Sequence, residues 1–226
     1  MRKIFSMLLL ILIVTTINGQ SMKRMIDIKI GYNAPVFNFD DAYDGGLGFN
    51  IGILYPFYEN LQFSLNTGYT KWGFDNTAFN LKNTNENYTS FDIEAPLSII
   101  PFTFGVKYYA TNSKVRPYFS AEFGFFYYTQ KASGTYTWVG KTGASEETYI
   151  IPELNDSGFR TMINAGAGVI TPINKDWVLD FQIKMNALLN AQSVSGSHNS
   201  GAVEGTSSTH YFLTIAGGIN YYFGSN

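Results

Sequence analysis

Six ionisable side chains, Asp27, Lys29, Lys107, Glu122, Asp180 and Lys184, each fall on the polar side of a stretch in which apolar and polar residues alternate. If those polar sides face one narrow enclosure, three acids and three bases must pair there, because an isolated buried charge is too costly to keep. Such a network either plugs the enclosure or tunes an ion path through it. The plug is favoured, since a small barrel encloses little more than its own side chains. Lys107 and Glu122, on stretches joined by a short turn, are expected to meet as near-diagonal neighbours.

Other constellations are weaker. His198-Asn199-Ser200 brings a base close to a hydroxyl, but nucleophile activation needs that base held in hydrogen-bond reach. A Ser/Gly-rich loop from Ser193 to Ser208 supplies no such geometry. His210 reads as an interfacial side chain. Asp40, Asp41 and Asp44 could gather a hard cation, which demands several oxygens. Without full loop spacing they read as a solvated acidic loop. Gly134 to Thr142 imitates a phosphate-binding loop, but five residues separate its glycines where that motif has four, and no helix follows. Thr135–Val139 and Thr148–Leu154 read better as the arms of a hairpin. Its exposed edges offer Trp138, Tyr149, Ile150 and Ile151 to an extracellular protein partner. No cofactor, metal or catalytic group is expected.

The elements that must position these residues are strands. Period-two alternation predicts strands near 25–34, 45–55, 61–72, 97–110, 117–129, 158–171, 177–189 and 209–223. Stretches of ten residues or more are long enough to cross a bilayer when tilted. Connectors alternate between short (56–60, 111–116, 172–176) and long (35–44, 73–96, 130–157, 190–208), as in barrels with short periplasmic turns and long external loops. Pro101 lies within the fourth strand and predicts a bulge or a late strand start.

The two faces of the strands differ in kind. One carries Ile28, Ile30, Phe49, Ile51, Phe181, Ile183, Ile215 and Ile219; the other is small, glycine-rich or charged. Bulky apolar residues outside and small polar ones inside suit a membrane barrel. A periplasmic aromatic girdle is expected at Tyr55, Tyr108, Trp177, Tyr221 and Phe223, with Tyr109 and Tyr118 nearby. An external one is expected at Tyr69, Trp72, Tyr127 and Tyr211, with Tyr128. Lys71, at the external end of the apolar side, could snorkel to lipid phosphates.

Composition agrees. The chain has 226 residues, 22 glycines and no cysteine, so it has no disulfide framework. A basic start, an apolar run from Ile4 to Ile17 and Asn18-Gly19 read as a secretory signal over 1–19, leaving a barrel domain over 20–226. Without Arg2 and Lys3 the formal charge is about −4, which disfavours nucleic acid. A mean hydropathy of −0.04 and the lack of a second long apolar run exclude a helical membrane protein, but not a barrel.

Residues 25–223 resemble the small outer-membrane β-barrel families, eight-stranded barrels loosely grouped as porin-like. The most specific element is the last strand, His210 to Phe223, an alternating run ending in an aromatic. The resemblance implies recognition of that strand by the barrel-assembly machinery, although Gly224-Ser225-Asn226 follow where many members end on the aromatic. It also implies contact with outer-membrane lipids and lipopolysaccharide. The His198-x-Ser200 pair superficially resembles one in lipid A deacylases, but there it sits on a lipid-facing strand surface. The fold expected is an all-β, eight-stranded antiparallel transmembrane barrel in the outer membrane. Fold alone does not choose among the roles such barrels carry. A non-enzymatic protein of the surface or of membrane integrity is favoured over a small-solute channel, a lipid-modifying enzyme and a soluble lipocalin-like barrel.

Overall fold

The computed structural model describes residues 23–83, 88–138, 146–196 and 203–224. The expected signal over 1–19, His198 and Ser200, and the tip of the hairpin at 139–145 lie outside the described residues. Nine strands form: β1 (Arg24–Val36), β2 (Gly46–Tyr58), β3 (Leu61–Trp72), β4 (Tyr88–Glu94), β5 (Leu97–Tyr109), β6 (Arg116–Trp138), β7 (Glu147–Pro172), β8 (Trp177–Gly196) and β9 (Val203–Phe223). Among the described residues one α-helix, α1 (Asn76–Asn83), precedes β4, and a short 3-10 turn, Phe37–Phe39, follows β1.

Eight of the strands close a ring. Each pairs antiparallel with the next, β5 follows β3 directly, and β9 returns to β1 from Arg24↔Phe223 to Val36↔Tyr211. Closure leaves no open edge within the ring. The ninth strand, β4, pairs with β6 above it, from Tyr88↔Trp138 to Glu94↔Ser133. There β6 also pairs with the upper part of β7, so β4, β6 and β7 form a small sheet beyond the ring. Gly134 marks an irregularity in this sheet. Its φ is +154°, and a Cβ there would meet the carbonyl of Asp92 at 2.1 Å.

Pro101 produces neither a bulge nor a late start. β5 begins at Leu97, and the β3–β5 ladder lapses between Thr67↔Phe102 and Thr70↔Ile99 with its register intact. A residue with no N–H to donate accounts for the lapse. The hairpin expected within the connector 130–157 forms, and the connector 190–208, read as a loop, is largely strand. Most of the first is strand in β6 and β7, and β8 and β9 carry the second to Gly196 and from Val203.

The side-chain alternation follows the ring. Ile30, Phe49, Leu65, Phe119, Phe181, Ile183 and Ile215 are exposed, whereas their strand neighbours are buried or half-buried. A belt of this size is untenable in water and excludes the soluble lipocalin-like reading. About ten residues separate Trp177 from Ala187, the partner of Tyr211. At strand rise and barrel tilt that distance is about 25 Å of height, the span of an apolar membrane band.

Candidate functional site: the closed lumen and the external sheet

All six sequence-selected charges point into the ring and are mostly or fully buried. They form two groups. In the first, Lys29 pairs with Asp27 on its own strand and lies 3.1 Å from Asp180 Oδ2, while Lys107 Nζ lies 3.0 Å from the same oxygen. The Tyr118 hydroxyl donates to Asp180 Oδ1 at 2.6 Å, and the Asn220 amide donates to Oδ2 at 3.3 Å. Lys107 also sits 4.2 Å from the centre of the Tyr118 ring. In the second group, Lys184 Nζ is 3.2 Å from Glu122, which also accepts from Thr103 at 2.9 Å and from Asn164 at 3.1 Å.

Lys107 therefore does not meet Glu122 as the spacing suggested. The β5–β6 register sets Lys107 opposite Ser120 and Glu122 opposite Gly105, and Lys107 crosses the lumen to β8. Glycine at 105 makes room for Glu122, since a Cβ there would meet Glu122 Cγ at 2.7 Å.

The charged groups of the lumen lie in its middle. There the lumen encloses cavities of about 60 Å³ and 10 Å³, space on the order of a few waters. Towards the short turns it is sealed by buried Met25, Leu54, Tyr109, Tyr118, Ile170 and Val178. The Tyr109 hydroxyl donates to Gln62 at 2.9 Å, and the Arg116 guanidinium covers its ring at 4.3 Å. Towards the long loops, Phe39 from the β1–β2 connector packs against Trp72 at 5.4 Å, and Trp72 against Phe212 at 4.9 Å between ring centres. Phe126, Leu188 and Ile99 complete this layer.

Strand-end aromatics thus divide into two sets. Tyr108, Trp177 and Tyr221 are exposed at the short-turn end, Phe223 is half-buried there, and Tyr55 lies under the Arg24 guanidinium at 5.2 Å. At the other end Tyr69, Tyr127 and Tyr211 lie on the outer face, Tyr127 against Phe159 and Tyr211 against Phe37. Trp72 is not one of them: it is wholly buried and donates its indole N–H to the Asn33 carbonyl at 3.1 Å. Tyr109, Tyr118 and Tyr128 also point inward and are buried. Position at a strand end misled here; inward parity and the partners available for an N–H or O–H decide the matter. His210 is likewise buried, stacked on Phe39 at 4.9 Å, rather than interfacial.

In the external sheet Tyr149 is exposed and stacks on Tyr136 at 5.3 Å, and Trp138 is half-buried. Ile151 is buried in the apolar cluster above the lumen, so it offers no surface to a partner. Its neighbour Ile150, 82 % exposed, does. The outer edge of β4 is occupied. Asn80 donates to the Phe91 carbonyl and accepts from the Phe91 N–H, and Asn76 does the same for Ile93, at 2.6 to 2.8 Å. Two amides one helical turn apart on α1 thus stand in for a neighbouring strand. Sequence reasoning missed both this cap and β4, though Phe91-Asp92-Ile93-Glu94 alternates and Asn76 and Asn80 are spaced i, i+4.

In the loops, Asp41 pairs with Lys82, and among the described residues no group of His, Cys, Asp and Glu is arranged to hold a metal ion. Burial pushes the pKa of the Tyr43 hydroxyl up, against a hydrogen bond from Gln130. Lys71 is exposed on the outer face near Tyr69, whose hydroxyl lies 3.1 Å from Ser98 Oγ.

No family model and no curated protein matches the sequence. Solved structures do resemble the fold. A major outer membrane protein of Thermus thermophilus superposes with a TM-score of 0.50 at 12 % identity, over 88 % of this chain and 99 % of that one. Ail, the attachment invasion locus protein of Yersinia pestis, gives 0.46 at 16 % identity over 89 % and 100 %. Neisserial surface protein A gives 0.44 at 14 % over 88 % and 97 %. At such identities the likeness is one of fold. With its closed ring of eight strands and its lipid-facing belt, the chain has the fold of a small eight-stranded transmembrane β-barrel of the outer-membrane type.

Proposed function

We propose that this protein is a non-enzymatic surface protein of the outer membrane, in which the barrel is an anchor and the external elements are the contact surface. The observation that carries this reading is the lumen. Apolar layers around Phe39 and Trp72 at one end and Tyr109 and Tyr118 at the other leave a cavity of about 60 Å³ between them. That volume is far below the several hundred cubic ångströms of a usual ligand pocket. The elements that project from the membrane are, by contrast, extensive: α1, β4 and the upper parts of β6 and β7. On this reading the lumen charges are a structural plug, the exposed aromatic rings seat the barrel in lipid, and the outer-face Lys71 contacts anionic headgroups, lipopolysaccharide among them. The run from His210 to Phe223 serves the assembly machinery, and the partner is met by the external sheet.

Conductance across a planar bilayer tests the reading. The purified barrel is expected to give a silent membrane. Reproducible, sustained current steps would replace the anchor with a small-solute channel.

A further inference from the structure

The external sheet has two edges, and they are treated differently. On the β4 side the asparagine amides of α1 satisfy the backbone at Phe91 and Ile93. On the other side β7 rises past the point where β8 leaves it. β8 pairs with β7 only from Thr161↔Leu189 downward, and above this it pairs with β9, from Ala191↔Ser208 to Gly196↔Val203. From Glu147 to Ser157, β7 therefore has β6 on one side and, among the described residues, no strand on the other. Ten of these eleven residues are exposed, on both faces of the strand; Ile151 is the exception. A long, exposed edge templates the addition of a further strand unless it is blunted. Here the main interruption is Pro152, and no lysine lies on the segment.

Charge says what fits. Glu146, Glu147, Glu153 and Asp156 lie along this edge, with Asp92 and Glu94 across the sheet on β4, against Lys131 on β6. A second copy of the chain paired edge to edge would set carboxylates against carboxylates, and like charges opposite one another destabilise a strand pair. Resting on the surface-contact reading above, we propose that the free edge of β7 between Glu147 and Ser157 receives an extended, basic polypeptide segment as an added strand. Backbone hydrogen bonds supply the affinity, and Ile150, on the face opposite buried Ile151, receives an apolar side chain of the partner.

The test uses the full barrel in detergent micelles and an eight-residue peptide of alternating lysine and valine. Its controls are the glutamate–valine analogue and the lysine–valine peptide N-methylated at every second residue. The lysine–valine peptide is expected to bind and to slow amide hydrogen exchange in the Glu147–Ser157 segment. N-methylation, which keeps the charge and removes backbone donors, should weaken binding at least tenfold, as should Thr148→Pro in a barrel that still shifts on boiling. Equal binding of the methylated peptide would overturn strand addition while leaving a side-chain contact surface standing. Equal binding of the glutamate peptide would overturn the basic partner. No binding of the lysine–valine peptide, or β7 protection that appears only as barrel concentration rises without peptide, would overturn the inference in favour of an inert edge or of self-association. Current steps in the bilayer experiment would instead remove the reading on which it rests.

Discussion

Lys107 Nζ lies 3.0 Å from Asp180 Oδ2, although 73 residues separate them in sequence and their strands, β5 and β8, are not neighbours in the ring. The contact exists only because the ring closes. Asp180 is also the acceptor shared with Lys29, Tyr118 and Asn220, so its removal leaves two buried ammonium groups, of which Lys29 keeps its pair with Asp27 and Lys107 loses its ion pair. Breaking such a buried group by deleting one partner costs about 3–5 kcal/mol. Asp180→Ala should therefore lower the temperature at which the unboiled gel band converts to the boiled one. Asp176→Ala, at an exposed pair with Lys23, should leave it nearly unchanged. Equal effects would show that the lumen network does not hold the ring.

The barrel strands were legible because period-two alternation is local: Ile28 and Ile30 face out and Asp27 and Lys29 face in whatever the rest of the chain does. Which charge pairs with which was not, because the choice between Glu122 and Asp180 for Lys107 is made across the lumen. Phe39 was hidden for a related reason. It follows Val36 in a connector with no periodicity, and only the tertiary fold returns it to the barrel mouth. Trp72 could have been placed by parity, since Thr70 and Ser64 on the same face are buried, but its place at a strand end drew it to the wrong set. β4 was lost because its seven residues fall short of a membrane crossing.

The lipid-facing belt makes Ile183 a sensitive position. It is exposed, roughly midway between Trp177 and the level of Tyr211, and pairs with Ile215. An arginine at mid-bilayer depth on this face costs about 2–4 kcal/mol. Ile183→Arg should sharply reduce the yield of heat-modifiable protein. Gln182→Asn, on the lumen side where Gln182 meets Ser120, should cost about 1 kcal/mol. A reversed order would mean that the faces are exchanged.

Two tryptophans report the same faces by light. Trp177 is 38 % exposed at the short-turn girdle, and Trp72 is wholly buried in the external apolar layer. In single-tryptophan variants reconstituted with brominated lipid, fluorescence from Trp177 should be quenched strongly and that from Trp72 weakly. Comparable quenching would move Trp72 back to the lipid surface.

The asparagine cap on β4 has a local signature. Asn80→Ala removes both a donor and an acceptor from the Phe91 backbone, each loss worth about 1 kcal/mol. Amide exchange at Phe91 should accelerate several-fold, while amides in β1 and β9 stay as slow as before. Unchanged exchange at Phe91 would show that the edge is protected by something other than the side chain.

The central claim, a closed barrel seated in the outer membrane, is tested most directly by membrane fractionation followed by electrophoresis of boiled and unboiled samples. The expected result is a protein that sediments with the outer membrane, leaves it only in detergent, and changes mobility on boiling as the ring opens. A protein recovered in the soluble fraction, with one mobility before and after boiling, would contradict the claim.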